Sequence, residues 1–201
     1  MALLTLTNAE VILGYPVLAD FISKCSTGTI NSCEVKKLKG LDEEEVEGAY
    51  IVFLSGDNSG LDRIVNNYFS NDVGNFEFND VDVVLDNTSV VGLVLRSFLP
   101  GVERAETLLI KDLKNKGADI NNFLDLEELK ELHLLRTLMH ICFNYRKDTN
   151  EDDIYHASYL DFKEQYELEL SRLIADYDIN ENGILDIGEN DMKISQIVLG
   201  K

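Results

Sequence analysis

Apolar positions in the second half of the chain recur at spacings of three and four, the period of helices that turn one face to a core. Residues 102 to 116 place Ala105, Leu108, Leu109 and Leu113 on one face, and Gly117 stands where a helix is ended by a residue free to adopt positive φ. From 124 to 146 one stripe holds Leu126, Leu129, Leu132, Leu135, Met139 and Cys142, and a second holds Leu134, Leu138, Ile141 and Tyr145. So much apolar circumference predicts a helix covered from more than one side. Residues 151 to 177 carry Tyr155, Tyr159, Phe162, Tyr166, Leu170, Leu173 and Tyr177 with Glu and Lys between them, an aromatic stripe suited to a core or an interface.

The first half has a different texture. Thr7-Asn8-Ala9-Glu10 reads as a capping box opening a short helix, and Pro16 at a first helical position predicts a second one through Cys25. Tyr50-Ile51-Val52-Phe53-Leu54 is a buried-strand run, while Phe76-Glu77-Phe78 and Val81-Asp82-Val83-Val84 alternate. Asn58-Ser59-Gly60-Leu61-Asp62 and the Asn75 to Asp80 segment lack full ligand spacing and read as turns. Pro100-Gly101 punctuates the change to helices. The predicted class is α+β and mainly α: a bundle of three longer helices and short N-terminal helices with a small β-containing insert. One domain, 1–201, is expected, with N-terminal helices over 1–26, a mixed or β insert over 27–99, a helical core over 100–177 and a loop and tail over 178–201.

Charge narrows the possible partners. The chain of 201 residues has 18 basic and 37 acidic side chains, a formal charge of −19, and both halves are acidic. Gripping nucleic acid needs a basic footprint, which is missing. The run Asp42-Glu43-Glu44-Glu45 suits a solvated helix start better than a metal cluster. Cys25, Cys33 and Cys142 are odd in number and form no C-x-x-C pair, which points to a reducing compartment. The amino terminus has no basic n-region or cleavage site, and no apolar run reaches the ~18 residues that span a bilayer, so synthesis and retention in a cytoplasm are expected.

One stretch carries specific chemistry. Asp178-Ile179-Asn180-Glu181-Asn182-Gly183-Ile184-Leu185-Asp186-Ile187-Gly188-Glu189 matches the twelve-residue calcium loop of the EF-hand at every ligand position. Asp178, Asn180 and Asn182 would offer side-chain oxygens, Ile184 its carbonyl, Asp186 a direct or water-mediated ligand and Glu189 two oxygens, with Gly183 at the sharp turn. Three carboxylates among five side-chain ligands predict weak to moderate affinity. The same residue types also cap helices and form Asx turns without metal. Sensor EF-hands come in pairs and need an exiting helix, whereas this chain has one loop and a short, β-branched tail, so calcium is expected as a structural ion.

Catalytic signatures are missing. There is no nucleophile elbow, phosphate-binding loop, dinucleotide fingerprint or H-E-x-x-H, and Cys142 falls inside an apolar helix where a thiolate is costly. His133 and His140 lie seven apart without carboxylates at ligand spacing, and they read with His156 as packing or surface residues. Asp152, Asp153 and Asp161 could serve acid–base work only by residue type. No enzymatic activity is expected.

From Val102-Glu103-Arg104-Ala105 through Asp112-Leu113-Lys114-Asn115-Lys116-Gly117, the Leu-rich helix ending Phe143-Asn144-Tyr145, Asp152-Asp153-Ile154, Tyr159, Tyr166-Glu167 and the acidic loop, the order of features resembles the head-to-tail adaptor (connector) proteins of tailed bacteriophages. The likeness covers about the last hundred residues and lies in pattern rather than in an invariant motif, and the 27–99 segment is longer and richer in β pattern than in compact members. The resemblance implies a structural virion protein at the head–tail interface, assembled in the host cytoplasm. It would form a homo-oligomeric ring, commonly dodecameric, between the portal protein and the next connector or tail component. DNA would pass through the lumen without specific binding, an acidic lumen repelling phosphate. The Ile194 to Leu199 segment would add to a partner or close its own domain. The competing expectation is a cytosolic EF-hand-like calcium-binding protein, which would expose apolar surface on binding calcium.

Overall fold

Thr7 begins the first helix as the sequence dictates. In the computed structural model its hydroxyl accepts the Glu10 N–H at 3.2 Å while the Glu10 carboxylate accepts the Thr7 N–H at 2.8 Å, a reciprocal capping box for α1 (Asn8–Gly14). The structure describes residues 4, 6–29, 32–35, 46, 48–70, 74–77, 90–147, 149, 153–179, 184 and 192–193. The chain is α+β and divides into two compact units, Thr7–Leu99 and Pro100–Lys201, the latter including Met1–Leu6.

The first unit is built on a seven-stranded sheet of β1 (Phe21–Thr29), β2 (Ser32–Val35), β3 (Tyr50–Phe53), β4 (Asp62–Ile64), β5 (Asn67–Ser70), β6 (Gly74–Glu77) and β7 (Val90–Val94). Its order is β4-β3-β7-β1-β2-β6-β5, with antiparallel pairing throughout. The long β1 serves both halves: Phe21 to Lys24 pair with β7, Cys25 to Thr29 pair with β2, and the register shifts between Cys25 and Thr27. The helix expected from Pro16 to Cys25 is therefore a single 3-10 turn, Pro16–Leu18, followed by strand. Ser23, Cys25, Thr27, Gly28 and Thr29 are weak helix formers, and pairing with Val90–Val94 outweighs the helical start that Pro16 suggests.

Alternation along β3 and β7 puts Ile51, Phe53, Val91 and Leu93 into one cluster with Val46, Ala49 and Val65. On β7, Gly92 is closely packed: an added Cβ would press on Ala19 Cβ at 3.3 Å and come into ordinary contact with Leu54 Cδ1 at 3.5 Å. Asn8, buried at the start of α1, accepts the Phe98 N–H through Oδ1 at 2.8 Å, and Asp20 Oδ2 accepts the Leu95 N–H at 2.8 Å. The strand pattern expected at Val81 to Val84 and the acidic run at Asp42 to Glu45 lie outside the described residues.

The second unit contains α2 (Leu99–Asn115), α3 (Lys130–Tyr145) and α4 (Ile154–Arg172). Ala105, Leu109 and Leu113 of α2 are buried as their spacing predicts. Gly117 adopts φ 84°, and the Ala118 N–H reaches back to the Leu113 carbonyl at 3.0 Å, so the helix closes on the residue that can turn left-handed. The second predicted helix begins later than 124: a 3-10 turn, Leu126–Leu129, capped by the Asp125 carboxylate, precedes α3. The core joins Leu109, Leu113, Leu129, Leu132, Tyr166, Leu170 and Tyr177, and Leu4 packs with them.

Candidate functional site

The calcium-type loop is entered differently from an EF-hand. The helix predicted to run to Tyr177 stops at Arg172, and Ile174–Ala175 forms β8, paired antiparallel with β9 (Met192–Lys193). A backbone tie explains the early stop. Leu124 N–H donates to the Asp176 carbonyl at 3.0 Å and Asp178 N–H to the Asn122 carbonyl at 2.8 Å, which holds residues 176 to 178 against 122 to 124 in extended form. Tyr177, expected on the helical stripe, reaches the core from extended backbone: its ring meets Phe123 edge-on at 5.1 Å and its hydroxyl accepts the Asp119 N–H at 3.0 Å.

Of the predicted ligands, Asp178 and Ile184 are described, and Asn180, Asn182, Asp186 and Glu189 lie outside the described residues. Asp178 is 4% exposed, and the side chain of Ile184 is 64% exposed. A strand pair thus brackets the loop, with its first ligand position anchored by the Asn122 carbonyl.

His133 and His140 of α3 are both held by hydrogen bonds. His133 is fully buried and donates from Nε2 to the Val102 carbonyl at 3.1 Å, joining α3 to α2. His140 Nε2 accepts from the Asn144 amide at 3.1 Å; burial first, then the Arg104 and Arg136 charges, hold its pKa below the ordinary value. Burial alone pushes the Cys142 thiol up to about 12, which leaves it a poor nucleophile near neutral pH. Asp153, one of the carboxylates considered for acid–base chemistry, caps α4: Oδ1 accepts from Tyr155 N–H at 2.9 Å and His156 N–H at 3.2 Å, and Oδ2 from Lys147 N–H at 2.7 Å.

The sequence gives no warning of a cleft of about 560 Å³ walled by α2, α3 and α4. Arg136 Nε lies 3.1 Å from Asp112 Oδ2, an ion pair rather than an aligned hydrogen bond, and the same oxygen accepts the Tyr166 hydroxyl at 3.0 Å. The guanidinium carbon sits 5.4 Å from the Tyr166 ring centroid. Burial, then the neighbouring Asp112, raises the Tyr166 pKa, so the phenol stays protonated and donating. Lys116 and Lys163 stand in the same lining, with Glu167 3.9 Å from Lys163. In sequence each of these charges reads as solvated helix surface; the available signal is Arg136 between Leu135 and Met139 on the most apolar helix.

Beside the cleft, α4 is thinly covered. Tyr166 and Leu170 are its buried residues, whereas Ile154, Leu160 and Leu168 are exposed. At its start the Arg146 guanidinium stacks on Phe143 at 3.8 Å and reaches Tyr159 at 5.5 Å, and Tyr145 meets Tyr155 at 5.6 Å. Phe143 and Tyr145 remain exposed. No helix among the described residues is long and apolar enough to cross a membrane. No protein-family model, curated protein or solved structure matches the chain.

Proposed function

We propose that this chain is a structural, non-catalytic subunit of a tailed-phage virion: a head-to-tail adaptor that assembles into a ring, docks on the portal and extends the DNA channel toward the tail. The observation that carries the reading is α4, a 19-residue helix with two buried side chains and with Ile154, Leu160 and Leu168 exposed, next to the exposed Phe143 and Tyr145 at the end of α3. Such a helix gains its remaining coverage from a neighbour. Tyr, Phe, Leu and Arg on that surface are residue types that anchor interfaces. A subunit of charge −19 keeps duplex DNA from adhering to a channel wall.

In this reading Asp178, Asn180, Asn182, Ile184, Asp186 and Glu189 hold calcium as a local staple. Its support is the β8–β9 pair, which brackets the loop with strand where the loop of a sensor is entered from a helix. Calcium should raise the midpoint of thermal unfolding, by an amount equivalent to about 2.7 kcal/mol at a hundredfold excess over Kd, and Asp178→Ala should abolish the rise.

The deciding experiment is electron microscopy of the purified chain mixed with the portal protein encoded beside it. A ring seated under the portal is the expected image. No association, together with calcium-dependent exposure of apolar surface in the free chain, would transfer the reading to a cytosolic EF-hand-like calcium-binding protein.

A further inference from the structure

Resting on the self-assembly part of that reading, we propose that the cleft between α2, α3 and α4 seats a carboxylate-bearing segment of a second copy of this chain, with Arg136 as its anchor and Lys116 and Lys163 as flanking cations. The cleft gathers three cations against two carboxylates, Asp112 and Glu167, in a chain with 37 acidic and 18 basic residues. Asp112 is already committed to Arg136 and to the Tyr166 hydroxyl, and the Lys163–Glu167 pair is loose at 3.9 Å between exposed side chains. The local balance therefore opposes that of the molecule as a whole.

Arg136 is held ready for such a guest. Its side chain is 15% exposed, its position is fixed by Asp112 on one side and the Tyr166 ring on the other, and its Nη1 donates to the weakly accepting Met139 sulfur at 3.7 Å. A guanidinium offers five donors in a planar fork, so an incoming carboxylate can be bound without reorganising the arginine. A partly desolvated charge pair of this kind contributes far more than one on open surface.

The occupant follows from charge and shape. A volume of about 560 Å³ admits a few side chains, an anchor point within a larger contact. Leu160, 47% exposed, extends the contact: at about 100° per residue it lies within about 20° of Glu167 around α4. Duplex DNA and anionic membranes are repelled by the field of a −19 chain, whereas a second copy presents abundant Asp and Glu and must offset that repulsion with local opposite-charge contacts.

The test is carbodiimide coupling of amines to carboxylates in a mixture of isotope-labelled and unlabelled chain, followed by mass spectrometry, alongside sedimentation of the wild type, Lys163→Glu and Lys116→Glu. Both lysines are on the surface of the cleft, and circular dichroism checks that the variants fold. The expected result is mixed-isotope links from Lys116 or Lys163 to an Asp or Glu, and assembly weakened at least about tenfold in each variant. Assemblies that persist unchanged in the variants, without mixed-isotope links at these lysines, overturn the cleft as the seat while leaving the ring intact. A wild-type chain that stays monomeric overturns the cleft and the ring together.

Discussion

α3 and α4 lie side by side in one unit and are stabilised in opposite ways. α3 buries eight of its 16 residues, among them Leu138, His133 and Cys142, whereas α4 buries two of 19. The first helix is specified by its own chain from both sides; the second is attached along one edge by Tyr166 and Leu170 and by the aromatic cluster at its start. A helix held so lightly is either a low-stability element or one finished by a neighbour. The exposed Leu160, at the edge of a cation-rich cleft in an acidic chain, favours the neighbour.

The largest effect should come from emptying α3. Leu138→Ala removes a fully buried side chain and should cost about 2–5 kcal/mol in urea unfolding of the dilute chain. A cost below about 1 kcal/mol would show that α3 is no better packed than α4.

Alkaline titration probes the same interior. Cys142, ordinarily at 9.0, is pushed up to about 12, so the folded state keeps a proton that the unfolded chain releases. Stability is then complete below about pH 9 and falls as pH rises toward 12, at about 1.4 kcal/mol per pH unit for this thiol; Tyr166, also raised, acts in the same direction above about pH 10. Cys142→Ala should flatten the fall in unfolding free energy between pH 9 and 10, below the range in which Tyr166 acts.

α4 should respond less. Asp153→Ala strips its cap and the tie to Lys147 and should cost about 1 kcal/mol, read as a lower thermal midpoint with faster amide exchange confined to the first turns. Smallest of all, Leu160→Ala should change the stability of the dilute chain by less than about 0.5 kcal/mol, yet weaken assembly measurably in a sedimentation series.

The same contrast governs what could be read from the sequence. Periodicity located α2 and α3 because their apolar stripes face a core within the chain, while local backbone chemistry marked the end of α2 at Gly117 and the start of α1 at the Thr7–Glu10 box. It failed where long-range pairing overrode local preference: Phe21–Thr29 became strand to meet β7, and α4 ended at Arg172 because residues 176 to 178 bond to 122 to 124. Tyr177 kept the predicted burial on a different element. The cleft was invisible because Lys116, Arg136 and Lys163 come together only through helix packing. The calcium-type loop was the most legible chemistry, and its described end, buried Asp178 beside β8, shows a strand where the pattern predicted a helix.

The most direct measurement is amide hydrogen exchange of α3 and α4 at dilute and concentrated protein. Exchange in α4 should be fast in the dilute chain and slow markedly on concentration, while α3 stays protected throughout. If α4 is as protected as α3 in the dilute monomer and indifferent to concentration, its exposed face is not an assembly surface.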